Sequence, residues 1–281
     1  MSLCTLKQAL DFAGQKECGI GMFNVVTAEY AAAIVQAAEE ANMPAIIGMP
    51  ERFFQFYDID MMSNLCVELA RNASVPIVVH LDHGKSFDMV MKVLRRGFTS
   101  VMFDGSALEY EENVKQTAEI VKIAHAMGVS VEGELGYVGN AASGAIDSSL
   151  MTKPEQAADF AERTKADALA VAIGNLHGHY KGTPKLDFDR LEKIRAATAC
   201  DLVLHGGSGI SETDFVRAVK TGIKKVNIYT ALSDCTLDFF RTKQSEYSVW
   251  LDFSKDMRLE LTKLIKEFIL LFGCLRKPND Q

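Results

Sequence analysis

The chain alternates between short apolar runs rich in β-branched residues and longer segments whose apolar positions follow helical spacing. Eight such runs occur: GIGMFNVV, PAIIGM, PIVVHLD, SVMFDG, VSVEGELG, ALAVAIG, DLVLHGG and KKVNIYT. Segments between them, such as TAEYAAAIVQAAEEAN and SETDFVRAVKTG, end in Asn or Gly, as helix C-termini do. This repetition predicts a parallel sheet closed into a (β/α)8 TIM barrel. A doubly wound open sheet is the alternative, but no G-x-G-x-x-G motif follows the first run.

The rest of the chain continues this pattern without a break. No linker, low-complexity tract or charge block divides it, so we predict one domain over residues 1–281. Additional C-terminal helices are expected around 231–243 and 254–272, with Ser254 as the N-cap of the second. We expect the last helix to pack on its own barrel; a dimer contact is the alternative.

Composition narrows the classes of partner. The net charge of −7 argues against nucleic acid and against an anionic membrane surface, although a small anion could still bind a local basic pocket. The six cysteines form no Cys-x-x-Cys pair, which is typical of reduced thiols in a cytoplasmic protein. We expect no signal peptide, and the apolar stretch FILLF is too short to span a bilayer.

Polar and ionisable residues lie at the carboxyl ends of the predicted strands, where barrel enzymes build their active sites. They are His80, Asp82, Asp104, Glu132, Glu134, His177, His205 and Asn227. The motif HLDHG, residues 80–84, could be a metal site or only the polar end of a buried strand.

Three histidines favour the metal. His83, His177 and His205 can meet at the mouth of the barrel, and three imidazoles with an open fourth position form a catalytic zinc site. Each histidine alone is better explained as a hydrogen-bonded surface or core residue, as we expect for His125. Asp82 could be a general acid/base or could orient a ligand, a role we assign instead to His80.

A glycine-rich turn, HGGSGISETD, joins the seventh strand to a helix. Gly206, Gly207 and Gly209 allow close backbone approach, Ser208 supplies a hydroxyl, and N–H groups at a helix start favour a phosphate. The VNIYT segment strengthens this expectation, because barrel phosphate sites often use the loops after strands seven and eight. Lys181 could add a positive charge.

Six motifs, in their order along the chain, resemble those of the class II (zinc-dependent) fructose-bisphosphate and tagatose-bisphosphate aldolase family. They are FNVV, HLDHG, ELGYVGN, AIGNLHGHYKG, LVLHGGSGIS and VNIYT. The G-x-V-G-N loop resembles that of its divergent ketose-phosphate aldolase subgroup. The resemblance implies reversible cleavage of a ketose (bis)phosphate to dihydroxyacetone phosphate and an aldehyde, through a metal-stabilised enediolate. It also implies a homodimer or homotetramer.

The resemblance implies roles for individual residues. His83, His177 and His205 would bind the catalytic zinc, and Asp82 would exchange a proton with the aldehyde oxygen. Asp104 and Glu134 match a second position for a divalent or monovalent cation. The residues that match substrate-binding positions are Asn24, Gly178, Gly206, Gly207, Ser208, Asn227, Ile228, Tyr229 and Thr230. No Lys ends the sixth strand, so Schiff-base chemistry is poorly supported.

The chain departs from the family pattern at three positions. Ala142 stands where a proton-abstracting carboxylate is expected, and Asp147 could replace it. Tyr229 stands where an acidic residue is common. Met49 stands where a small hydroxyl residue is expected, which predicts a less polar aldehyde pocket.

Two other functions compete with an aldolase. A sugar-phosphate-binding protein without catalysis is suggested by Ala142. A metal-dependent hydrolase is suggested by His177 and His179 in HGH, although the corresponding pair in amidohydrolases ends the first strand.

Overall fold

Eight parallel strands close into a barrel in which each strand pairs with the next and the last pairs with the first. The computed structural model describes residues 2–139, 148–180 and 182–273. The strands are β1 (Ile20–Asn24), β2 (Ala45–Pro50), β3 (Ile77–Gly84), β4 (Ser100–Phe103), β5 (Ser130–Leu135), β6 (Ala168–Val171), β7 (Asp201–Leu204) and β8 (Ile223–Ile228). The predicted (β/α)8 barrel is confirmed, and the open sheet is excluded.

Helices cover the outside and one end of the barrel. They are α1 (Leu6–Lys16), α2 (Ala28–Ala41), α3 (Ile59–Asn72), α4 (Phe87–Leu94), α5 (Tyr110–Ala126), α6 (Pro154–Thr164), α7 (Phe188–Ala197), α8 (Glu212–Thr221), α9 (Thr230–Lys243) and α10 (Trp250–Phe272). Single 3-10 turns lie at Glu51–Phe53, Ser148–Leu150 and Gln244–Glu246. The helix C-termini predicted at Asn and Gly are confirmed for two helices. Asn42 caps α2 with φ 50°, and Gly222 caps α8 with φ 124°.

The interior of the barrel is apolar at its amino end and polar at its carboxyl end. Inward-facing Met22, Val78, Met102 and Val203 form a cluster with the apolar face of α1, which closes the amino end. Side chains two or four residues further along the same strands share this inward face, because strand side chains alternate. Those side chains include Asn24, His80, Asp82, Asp104 and His205, so the strand period itself concentrates polar groups at the carboxyl end.

The last helix packs against α2 and the start of β1, as expected for a helix on its own barrel. Leu261 and Ile265 are fully buried there. The predicted start of this helix was wrong, because α10 already begins at Trp250. Ser254 lies inside the helix and its hydroxyl donates to Glu29 Oε1 at 3.1 Å. Among the described residues, no helix is both long and apolar enough to cross a membrane.

Candidate active site

A cavity of about 530 Å³ opens at the carboxyl ends of the strands. Of the residues predicted to form a site, those lining it are Asn24, Asp82, His83, Asp104, Glu134, His177, Gly178, Gly206, Gly207, Ser208, Asn227, Tyr229 and Thr230. His205 lies buried directly beneath it, in contact with His83. Together with Pro50 at the end of β2, residues from all eight strand ends or the loops after them converge on one space, as in barrel enzymes generally.

Three imidazole rings meet at the floor of this cavity. Ring centroids are 4.7 Å apart for His83 and His205, 5.1 Å for His83 and His177, and 5.9 Å for His177 and His205. One nitrogen from each ring lies within 4.8 Å of the other two. The structure thus brings together the three histidines that the sequence placed at separate strand ends.

Each of the three rings has its other nitrogen engaged by an acceptor. His83 Nδ1 lies 2.7 Å from Asp104 Oδ2, His205 Nε2 lies 2.9 Å from Glu132 Oε1, and His177 Nδ1 lies 3.3 Å from the Val138 carbonyl oxygen. Because a carboxylate or carbonyl only accepts, the ring proton of each neutral imidazole belongs on this outer side.

The inner nitrogens are therefore left as lone pairs that face one another. His205 Nδ1 and His83 Nε2 are only 3.0 Å apart, a spacing that needs a proton or a metal ion between the two lone pairs. Three imidazole nitrogens with their outer partners in place are a donor set that zinc prefers. These residues fit the predicted metal.

The backbone at His83 is strained in a way that aims its ring. Its φ is 51°, in the left-handed region that non-glycine residues seldom adopt, and β3–β4 pairing is irregular between Leu81 and Gly84. Regular alternation would turn His83 away from the interior face that carries Asp82. The irregularity instead directs both side chains to the cavity, and such strain is common at functional sites.

The surroundings of the three rings raise the pKa of His83 and lower those of His177 and His205. Burial alone would lower the pKa of His83, but the carboxylates of Asp82, Asp104 and Glu134 outweigh it and raise that pKa to about 9. Burial lowers the pKa of His177 to about 4, and burial together with the nearby His83 charge holds the pKa of His205 well below its usual range. Without a metal, the additional proton between His83 Nε2 and His205 Nδ1 therefore resides on His83.

Asp82 is a buried carboxylate fixed by two amides at the edge of the histidine cluster. Asn24 Nδ2 donates to Oδ2 at 2.9 Å and Asn227 Nδ2 donates to Oδ1 at 3.3 Å, while Oδ1 lies 3.9 Å from His83 Nε2. Burial raises the pKa of Asp82, but the charge of His83 first, and then that of Lys225 and the Asn24 hydrogen bond, lower it overall. The group is thus a charged, oriented carboxylate that faces the cavity.

A second group of metal-type ligands adjoins the first. His83, Asp104 and Glu134 each offer an atom within 4.8 Å of the others. Asp104 already accepts from His83, from Ser106 Oγ at 2.6 Å and from Lys85 Nζ. Glu134 Oε2 is buried without a hydrogen-bond partner among the described residues, and burial, with Asp104 next, raises the pKa of Glu134 to about 8.

A buried ion pair beneath the histidines was missed from the sequence. Lys225 Nζ donates to Glu132 Oε2 at 2.7 Å, and both side chains are fully buried. Since Glu132 also holds His205, it has the orienting role that we had assigned to His80. That assignment was wrong: His80 Nδ1 pairs with Ser100 Oγ at 2.8 Å. The sequence did contain a signal for this ion pair, because Lys225 lies two residues before Asn227 and therefore on the same inward face of β8.

The glycine turn after β7 lies against the loop that carries His177. Gly206 has φ 65°, and a Cβ there would stand 2.2 Å from the Leu176 carbonyl oxygen, so only glycine fits. Ser208 Oγ accepts the Ala231 N–H at 3.1 Å at the start of α9. Ile228 does not line the cavity with its side chain, which is buried in the outer core. Lys181 lies outside the described residues.

The structure also corrects the predicted aldehyde end. Met49 is fully buried in the outer core with Ile47, because both lie on the helix-facing side of β2. Its neighbour Pro50 lines the cavity, so the prediction based on Met49 was assigned to the wrong face. Tyr229 lines the cavity and packs on Phe53, with centroids 5.0 Å apart. Ala142 and Asp147 lie outside the described residues.

The histidine pair that suggested a hydrolase separates in space. The His179 side chain is 73% exposed and its Nε2 lies 3.5 Å from Asp234, whereas His177 is in the cluster. His125 pairs with Asp167 on the surface, as expected for a residue without a role in the site.

The chain is similar to known proteins over most of its length. The family described as fructose-bisphosphate aldolase class II matches residues 4–277. A fructose-bisphosphate aldolase of Geobacillus stearothermophilus is 40% identical over 236 residues, 82% of each chain. The YdjI protein of Escherichia coli is 39% identical over 263 residues, 93% of this chain and 94% of its own.

Solved structures share the fold of this chain. The crystal structure of the YdjI aldolase superposes with a TM-score of 0.88 at 37% identity, and covers 96% of this chain and 97% of that one. The fructose-bisphosphate aldolase of Campylobacter jejuni shares the fold, with a TM-score of 0.78 at 23% identity over 97% of this chain and 96% of its own.

Proposed function

Because the chain belongs to the class II fructose-bisphosphate aldolase family, we propose that it is a zinc-dependent aldolase. It would reversibly cleave a ketose phosphate or bisphosphate to dihydroxyacetone phosphate and an aldehyde. The observation that carries this proposal is the convergence of three imidazole nitrogens whose outer partners are already in place. When bound there, zinc would act as a Lewis acid toward the negative charge that develops on the substrate oxygens.

The protein groups divide the remaining work. Asp82, fixed by two amides, would pass a proton to and from the aldehyde oxygen as the carbon–carbon bond forms or breaks. The glycine turn and the start of α9 would hold the phosphate, since backbone N–H groups at a helix start favour anions. The two amides leave Asp82 little freedom, so its carboxylate is positioned before substrate binds.

The test is condensation with an open choice of aldehyde. Zinc-loaded protein is incubated with dihydroxyacetone phosphate and a panel of phosphorylated, acidic and neutral aldehydes, with and without a strong chelator. We expect chelator-sensitive consumption of dihydroxyacetone phosphate with at least one aldehyde, and the matching ketose phosphate should be cleaved. Tight binding of dihydroxyacetone phosphate without turnover across the panel would instead support a sugar-phosphate-binding protein.

The proposal includes one zinc per chain. The second cation position, beside Asp104 and Glu134, would be filled by the ammonium group of Lys85. The Lys85 ammonium donates to Asp104, whose carboxylate is also engaged by His83 and Ser106. An ammonium at this point supplies the positive charge that a second ion would supply, and it uses an oxygen that the ion would need.

Replacing Lys85 with Met should therefore raise the metal content. After equilibration with excess zinc and desalting, atomic emission is expected to find about one zinc per chain in the native protein and about two in Lys85→Met, because a 2+ ion can then bind Asp104 and Glu134. Lys7→Met is the matched control, since Lys7 pairs with Asp11 on the surface. Two zinc ions in the native protein, or one in Lys85→Met, would contradict the assignment.

The cytoplasmic location and the homodimer or homotetramer stay predictions.

A further inference from the structure

Arg52 is a cation that lines the cavity and has no role in the proposed reaction so far. It lies in the single 3-10 turn after β2, lines the cavity and is exposed to solvent. Its guanidinium carbon stands 5.0 Å from the centroid of the Phe53 ring and 5.8 Å from that of Tyr229. Two aromatic rings thus hold the side chain at the rim rather than letting it extend into solvent.

The guanidinium retains hydrogen-bonding capacity in this position. The arginines that form ion pairs in the described part of the chain are Arg71, Arg96, Arg163, Arg190 and Arg241, and Arg52 is not one of them. The adjacent carboxylate of Glu51 accepts the Lys85 backbone N–H at 2.6 Å. A guanidinium that contacts rings through its face keeps its N–H groups at its edge for a carboxylate or phosphate.

The contact with Tyr229 places the Arg52 charge on the side of the cavity where the glycine turn and the start of α9 would hold a phosphate. Tyr229 immediately precedes Thr230, the first residue of α9, and Ser208 caps the Ala231 N–H of the same helix. The Arg52 charge therefore adjoins the loops after β7 and β8.

We propose that Arg52, held against Phe53 and Tyr229, forms an anion subsite that binds an acidic group of the substrate through its guanidinium edge. The proposal rests on the proposed function of this cavity and adds the residue that selects for negative charge. The acidic group is a phosphate or carboxylate; it can be the phosphate of dihydroxyacetone phosphate or an acidic group on the aldehyde. Arg52 is a binding residue and takes no part in proton transfer.

The experiment compares Arg52→Met and Arg52→Lys with Arg217→Met. Arg217 is the matched control, because its guanidinium carbon lies 4.0 Å from the centroid of the Phe188 ring, outside the cavity lining. Three measurements are made. The first gives KM and kcat for solvent-hydrogen exchange into dihydroxyacetone phosphate, the second gives the kcat/KM ratio for glyceraldehyde 3-phosphate over glyceraldehyde, and the third gives the calorimetric Kd of inorganic phosphate.

Arg52→Met is expected to weaken one of the two substrate interactions about 10- to 100-fold, the range for a lost charge-assisted hydrogen bond. A raised KM for exchange with unchanged kcat assigns the subsite to the donor phosphate. Unchanged exchange, with loss of the preference for the phosphorylated aldehyde, assigns it to the aldehyde. Arg52→Lys should recover part of either effect, because it keeps the charge without the paired edge.

The outcome that overturns the subsite is an Arg52→Met protein that matches Arg217→Met in all three measurements. Phosphate calorimetry separates this failure from failure of the aldolase proposal. If native protein neither exchanges nor condenses, yet phosphate binding weakens at least about tenfold in Arg52→Met alone, the anion subsite stands and the aldolase proposal fails.

Discussion

Asp82→Asn is expected to lower the rate of ketose phosphate cleavage by about 10²- to 10⁴-fold, the usual contribution of a general acid/base. The carboxylate faces the cavity from between the amides of Asn24 and Asn227. Asn keeps the size of the side chain and one of its two acceptor atoms but cannot exchange the proton. Cleavage of the preferred ketose phosphate is measured by steady-state kinetics with zinc content determined in the same sample.

The same variant should separate the two halves of the reaction. Because Asp82 is assigned to the aldehyde oxygen, solvent-hydrogen exchange into dihydroxyacetone phosphate should survive within a few-fold while cleavage is lost. One amide–amide contact becomes unfavourable in the variant, so we expect a stability loss of about 1–3 kcal/mol in chemical denaturation. Asp201→Asn, at the opposite end of the barrel in β7, is the control and should retain cleavage. Near-native cleavage in Asp82→Asn would remove this residue from the chemistry.

His177→Ala is expected to abolish zinc binding and cleavage together. The change removes one of three nitrogen donors, so zinc affinity should fall by more than the 10- to 100-fold that loss of an outer partner costs. Loss of Lewis-acid stabilisation worth several kcal/mol corresponds to about a 10³-fold or greater fall in rate. Atomic emission and steady-state cleavage, measured on the same preparation, test both effects.

The control for this change lies two residues away. His179→Ala removes an imidazole that is 73% exposed and lies near Asp234, so zinc content and cleavage should stay near the native values. If both variants behave alike, the convergence of His177 with His83 and His205 has no functional consequence. Cleavage that survives in His177→Ala with a strong chelator present would also exclude zinc as the agent.

The sequence predicted the barrel and the meeting of the three histidines for the same physical reason. Parallel strands end at one edge, so polar residues at the ends of β3, β6 and β7 must come near one another once the barrel closes. Family membership, predicted from the order of motifs over nearly the whole chain, is confirmed. Local alternation then separates inward from outward positions, as at Asp82 and Leu81.

The features missed from the sequence depend on which strand positions meet across the barrel. Glu132 and Lys225 come from β5 and β8, which are not neighbours in the sheet, so neither sequence spacing nor strand pairing links them. Lys85 turns back to Asp104 through a loop that no periodic pattern describes. Met49 was placed on the wrong face of β2 because the assignment followed the family pattern and not the period of two.

The most direct test of the central claim is the exchange of the carbon-bound hydrogen of dihydroxyacetone phosphate in deuterated water, followed by proton NMR. It needs no aldehyde, so it tests the metal-assisted half of the reaction alone. We predict that zinc-loaded protein catalyses the exchange, that a strong chelator stops it, and that added zinc restores it. Absence of exchange at one zinc per chain, or exchange that continues unchanged after the zinc is removed, would contradict the assignment of this site as a class II aldolase centre.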